Sequence, residues 1–128
     1  MIDQRGIRTI AIEEHYSTPE VVKATTRDAG AVPEFVKRLR TKLLDLGDGR
    51  LADMDAAGVD MQVLSLVVSG VEELDPATAT ALAHDSNDTV AAAVRAHPDR
   101  FAAFCTVPQE KKRGKVLIRK ISFAIIPN

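Results

Sequence analysis

Three short runs of β-branched and aliphatic residues, with helix-like patterns between them, constrain the fold of this chain more than any other feature. They are Arg8 to His15 (RTIAIEEH), Met61 to Val68 (MQVLSLVV) and Phe101 to Val107 (FAAFCTV), the last closed by Pro108. Strand-length runs that are apolar on both faces are expected of buried parallel strands rather than of half-exposed antiparallel ones.

The intervening segments read as helices with recognisable ends. Glu34 to Leu46 places Phe35, Leu39, Leu43 and Leu46 on one side. Asp48-Gly49-Arg50 opens a further helix with Leu51 and Met54 at helical spacing, and Gly58 stands where a left-handed C-cap is expected. Asp75 followed by Pro76 is an N-cap with proline in the first helical position. Leu82, Ser86, Val90 and Val94 then share a face, and Pro98 ends the pattern. Strand, helix, strand, helix, strand is the order of parallel βαβ units. The pattern alone leaves open whether the units belong to a doubly wound sheet or to a barrel.

Length and composition narrow the functional classes. A chain of 128 residues supports one domain with a core. A net charge of -1 gives no reason to expect nucleic acid or an anionic membrane as partner. There is no signal-like N-terminal segment and no run approaching ~18 apolar residues. With one cysteine, Cys105, no intrachain disulfide can form, so a cytoplasmic protein is the simplest expectation. No glycine-rich phosphate loop and no nucleophile elbow is present.

Chemistry concentrates at the end of the first run. Plain strand alternation puts Ala11, Glu13 and His15 on one face. A carboxylate and an imidazole two apart can hold one divalent metal, and the C-terminal ends of parallel strands are where α/β proteins build sites. A strand end that simply turns polar as it meets solvent is the plainer account of the same two residues.

The wider segments carry a resemblance. Ile10 to Glu20 (IAIEEHYSTPE), Leu43 to Leu66 (LLDLGDGRLADMDAAGVDMQVLSL) and His97 to Pro108 (HPDRFAAFCTVP) are similar to the amidohydrolase-related decarboxylases of the amidohydrolase superfamily. The resemblance covers roughly residues 7 to 109. It implies an α/β fold, the N-terminal part of a (β/α)8 TIM barrel with about three βα units, of the metal-dependent hydrolase type. It also implies Glu13 and His15 as ligands of one divalent ion, zinc or manganese, with a histidine and an aspartate from later strands completing the shell. The implied activity is decarboxylation of a hydroxylated aromatic or related carboxylic acid, or hydrolysis. The implied partner is thus a small-molecule carboxylic acid, with a homo-oligomer also expected. The reading from a different class is a non-catalytic remnant or small α/β binding module.

Other residues have plainer roles. His84 reads as a surface or half-buried helix residue, His97 as a helix-end cation, Cys105 as a packing thiol, and Asp53 and Asp55 as solvated helix charges. Ser65 to Gly70 reads equally as pocket lining or as an ordinary turn. A whole barrel takes about 250 residues, so residues 1–108 are expected to form the barrel portion. Residues 109–128, rich in lysine and arginine from Lys111 to Lys120, are expected to be a divergent basic tail. An edge strand over Val116 to Ile126 is the alternative, and a basic tail for membrane or nucleic acid a third. Little activity and a tendency to instability or self-association are expected of the isolated chain.

Overall fold

The computed structural model describes residues 6–26, 31–67, 71, 74–111 and 115–124, the last part (108–111 and 115–124) as backbone only. The elements run β1 (Ile10–Tyr16), α1 (Pro19–Thr25), α2 (Glu34–Leu44), α3 (Asp48–Ala57), β2 (Met61–Leu66), α4 (Pro76–Ala96), β3 (Phe101–Lys111) and β4 (Lys115–Ala124). They form one sheet in the order β1-β2-β3-β4. The first three strands are parallel, as expected of βαβ units, and β4 returns antiparallel to β3. Among the described residues no helix is long and apolar enough to cross a membrane.

The helix boundaries follow from local chemistry. Asp75 accepts the Thr78 amide at 3.0 Å and so caps α4, with Pro76 in the first turn. Gly58 closes α3 at φ 69°, a left-handed conformation that costs glycine nothing and any side chain about 1 kcal/mol. α1, not expected from the sequence, is capped in the same way: Thr18 accepts the Val21 amide and Pro19 occupies the first position.

Residues opposed on neighbouring strands share a face. Ala11, Glu14 and Tyr16 oppose Gln62, Leu64 and Leu66, which continue to Phe101 and Ala103. This face is covered: Tyr16, Leu64, Leu66, Phe101 and Ala103 cluster with Met54 of α3 and Ala79, Leu82, Val90 and Val94 of α4. Ser86, in the same helical row, is buried too. The opposite face carries Ile10, His15, Met61, Val63, Ser65 and Ala102. It is open at Ile10, which is 49% exposed. The helix expected over Glu34 to Leu46 is α2, none of whose residues is buried, and Phe35 and Leu39 lie at the surface.

Two anchors fix the strands' N-terminal ends and the α4–β3 join. Arg100 donates to the Asp60 carbonyl at 2.9 Å and to Asp55 at 2.7 Å, tying the start of β3 to the α3–β2 turn. Asn87 on α4 accepts the Thr106 amide at 2.8 Å and donates to the Thr106 carbonyl at 2.9 Å. β3 runs on past Pro108, where the sequence suggested a stop, because it pairs with β4 from Ala103 to Lys111. Proline interrupts a ladder only where its missing N–H was required. The expected edge strand over Val116 to Ile126 corresponds to β4; residues 125–126 lie outside the described residues.

Candidate metal centre

The two expected donors stand at the C-terminal end of β1, and the backbone there is not a regular strand. Between Ala11 and Glu14 the register with β2 slips by one residue, three steps on β1 matching two from Gln62 to Leu64. Glu13 lies within this bulge at φ 62°, the one described non-glycine residue with positive φ. A bulge re-aims the chain and breaks alternation. Ala11 and His15 therefore lie on opposite faces, since their partners Gln62 and Ser65 are three apart. The shared face expected for Ala11, Glu13 and His15 is thus corrected: His15 belongs to the face opposite the core cluster. Both Glu13 and His15 are exposed.

After the bulge the strand end is held from several sides. The Val67 amide donates to the Tyr16 carbonyl at 2.8 Å, and the Ser17 amide to the Leu43 carbonyl at 2.9 Å. The buried Tyr16 hydroxyl donates to the Ser86 carbonyl at 3.0 Å. Burial, reinforced by the nearby Cys105, holds this phenol well above its ordinary value.

Arg50, from the first turn of α3, is the most connected side chain nearby. Its Nη2 donates to the His15 carbonyl at 3.0 Å and the Lys42 carbonyl at 3.1 Å. Its Nε donates to the Asp45 carbonyl at 2.6 Å and its Nη1 to Gln62 Oε1 at 3.0 Å. Burial pulls the guanidinium below its ordinary value, and Glu14, Asp45 and Asp53 oppose that shift. These groups line a cleft of about 420 Å³ between the β1–β2 edge, α2 and α3. Lys42 pairs there with Asp53. A side chain at Gly49 would run into the Asp45 carboxylate, which also accepts the Gly47 amide at 2.8 Å.

One carboxylate oxygen and one imidazole nitrogen suit a borderline divalent ion. Among the described residues no group of three or more His, Cys, Asp or Glu is disposed to hold a metal. The other singled-out residues stand apart. His84 is exposed, and His97 meets Phe101 edge-on with ring centres 5.8 Å apart. Cys105, expected as a buried packing thiol, is half-buried. Asp53 and Asp55 are exposed and paired with Lys42 and Arg100. Of Ser65 to Gly70, Ser65 is buried beside His15 in register, and residues 68–70 lie outside the described residues. Arg50 was not singled out by sequence. An arginine in a first helical turn carries no local signal that its partners are carbonyls from β1 and α2.

No protein-family model matches the chain. It is 39% identical over 101 residues to the γ-resorcylate decarboxylase of Rhizobium radiobacter, a match covering 77% of this chain and 30% of that enzyme. Among solved structures it is similar to a 2,6-dihydroxybenzoate decarboxylase complexed with 2,6-dihydroxybenzoate, at TM-score 0.65 and 35% identity, covering 77% of this chain and 29% of the other. It is also similar to the 5-carboxyvanillate decarboxylase of Novosphingobium aromaticivorans, complexed with manganese and 4-hydroxy-3-methoxy-5-nitrobenzoic acid. That match has TM-score 0.70 and 34% identity over 81% of this chain and 35% of the other. The chain thus spans about 30% of the length of the curated relative.

Proposed function

From a chain that is a homologue of the amidohydrolase-superfamily decarboxylases over their N-terminal, TIM-barrel part, we propose a share in a metal-dependent carboxy-lyase site acting on a hydroxylated aromatic acid. Glu13 and His15 are the two donors this chain contributes. The observation that carries the reading is their place: both stand towards the C-terminal end of the first parallel strand, His15 on the face opposite the core cluster. In parallel α/β barrels that end of the strands builds the active site.

When bound, a divalent ion supplies Lewis-acid polarisation and a template for carboxylate and neighbouring hydroxyl oxygens. The chain's own part is to hold and orient. The left-handed backbone at Glu13 sets that donor's direction, while His15 follows from a strand end tied to Leu43 and Val67 through its neighbours. The manganese and aromatic acids carried by the solved relatives support manganese and an ortho-hydroxylated benzoate for this site.

Manganese titration followed by electron paramagnetic resonance tests the reading. Uptake of one ion, lost in both E13A and H15A, with a signal altered by 2,6-dihydroxybenzoate and not by benzoate, is the expected result. No uptake, or uptake indifferent to both substitutions, overturns it.

A further inference from the structure

We propose that Arg50 is a positioning residue for the metal donor His15, acting through the His15 carbonyl. The inference rests on the metal reading above and adds a residue that touches neither ion nor substrate.

The bulge creates the need. A strand end is normally held by its ladder, but here the ladder is broken at residues 12 and 13, just ahead of the Glu14–His15 pairs. A non-glycine residue in left-handed conformation costs about 1 kcal/mol or more and persists only where its surroundings fix it. Beyond the break, Arg50 joins the His15 carbonyl to three other places at once: the Lys42 carbonyl at the end of α2, the Asp45 carbonyl, and the Gln62 side chain on β2. Gln62 Nε2 in turn faces Glu14 Oε2 at 3.5 Å, so both peptide neighbours of the Glu14–His15 step meet the same cluster. α3 itself presents Arg50 rigidly. The Leu51 amide donates to the Gly47 carbonyl, and Gly49 leaves room for the Asp45 carboxylate.

Only a guanidinium does this. Its planar fork sends donors in three fixed directions, whereas a lysine ammonium is a compact point charge on a flexible stem. Glu14, Asp45 and Asp53 oppose the downward pull of its partial burial, and a guanidinium stays charged in proteins. Residues that orient a metal ligand typically govern affinity 10- to 100-fold.

The test compares wild type, R50K and R50Q as full chains, with melting temperature measured alongside manganese affinity. Affinity about 10-fold or more weaker in both variants, restored in part by millimolar guanidinium ion, is expected. In the metal-free protein, amide hydrogen exchange at Ser17 and Val67 should quicken at least about 10-fold in R50Q while Ala79 is unchanged. Manganese affinity equal to wild type in R50Q overturns the inference, whatever the change in melting temperature. Full affinity in R50K overturns it too, because charge rather than geometry would then suffice. A wild-type chain that takes up no manganese overturns the metal reading and this role together, an outcome distinct from the other two.

Discussion

Tyr16 is the sole tyrosine in a chain without tryptophan, so its ionisation can be followed alone. The ring is fully buried, and its hydroxyl donates to the Ser86 carbonyl across the β1–α4 interface. Burial holds the folded-state phenol well above the unfolded value of about 10. Between the two values the unfolded chain has lost a proton that the folded chain keeps. Stability from this group is therefore complete below pH ~10 and falls as pH rises, by about 1.4 kcal/mol per pH unit for one proton. Tyr16→Phe removes the hydrogen bond, worth about 0.5–1.5 kcal/mol, and removes this alkaline loss with it. At pH 8 the variant should be the less stable by that amount. By pH 12 the order should reverse, because wild type has lost roughly 2–3 kcal/mol to phenol ionisation that the variant cannot lose. Urea unfolding of both proteins from pH 8 to 12 measures the crossing, and phenolate absorbance at 295 nm follows the ionisation directly. A folded wild-type chain that titrates at 295 nm with a midpoint near 10, or a stability difference constant across that range, would refute the reasoning.

Three further outcomes follow from the same core. Phe101→Ala empties a site 1% exposed beneath α4 and should cost about 3–5 kcal/mol, read as a large drop in urea midpoint at unchanged slope. Asn87→Ala breaks both bonds to the Thr106 backbone and should cost about 1–3 kcal/mol. Hydrogen exchange at Thr106 should rise more than at Leu64, and equal changes would count against the anchor. Asp75→Ala should lower Tm by a few degrees and loosen the first turn of α4, with Asp75→Asn largely restoring it. Because hydrogen bonds from Thr78 depress the Asp75 carboxyl, its contribution is present above the unfolded carboxylate range and lost as pH falls through the folded value. A Tm difference between wild type and D75A that persists unchanged at pH 2 would contradict this.

What the sequence made legible is what short-range chemistry decides. Asp75-Pro76, Gly58 and the row Leu82, Ser86, Val90 and Val94 each act within one or two helical turns, and each lies where its pattern placed it. α1 carried a comparable signal in Thr18-Pro19, though seven residues with two adjacent valines make a weak periodic pattern. β4 was read chiefly as a charge run because its lysines and arginines dominate the composition. In a strand, alternation decides which residues meet a neighbour, and charge at an edge is compatible with pairing.

The bulge belongs to a different category. Nothing in IAIEEHY marks Ile12-Glu13 as the place where one residue is skipped, since the skip exists only in the pairing of β1 with β2. The same holds for Arg50, whose role exists only once α2, β1 and β2 have converged on it. Spacing therefore singled out Glu13 and His15 while misjudging the geometry between them. Regular alternation would have aligned Glu13 and His15 with Ala11, on the side that the helices cover. The irregular strand instead puts His15 on the opposite side.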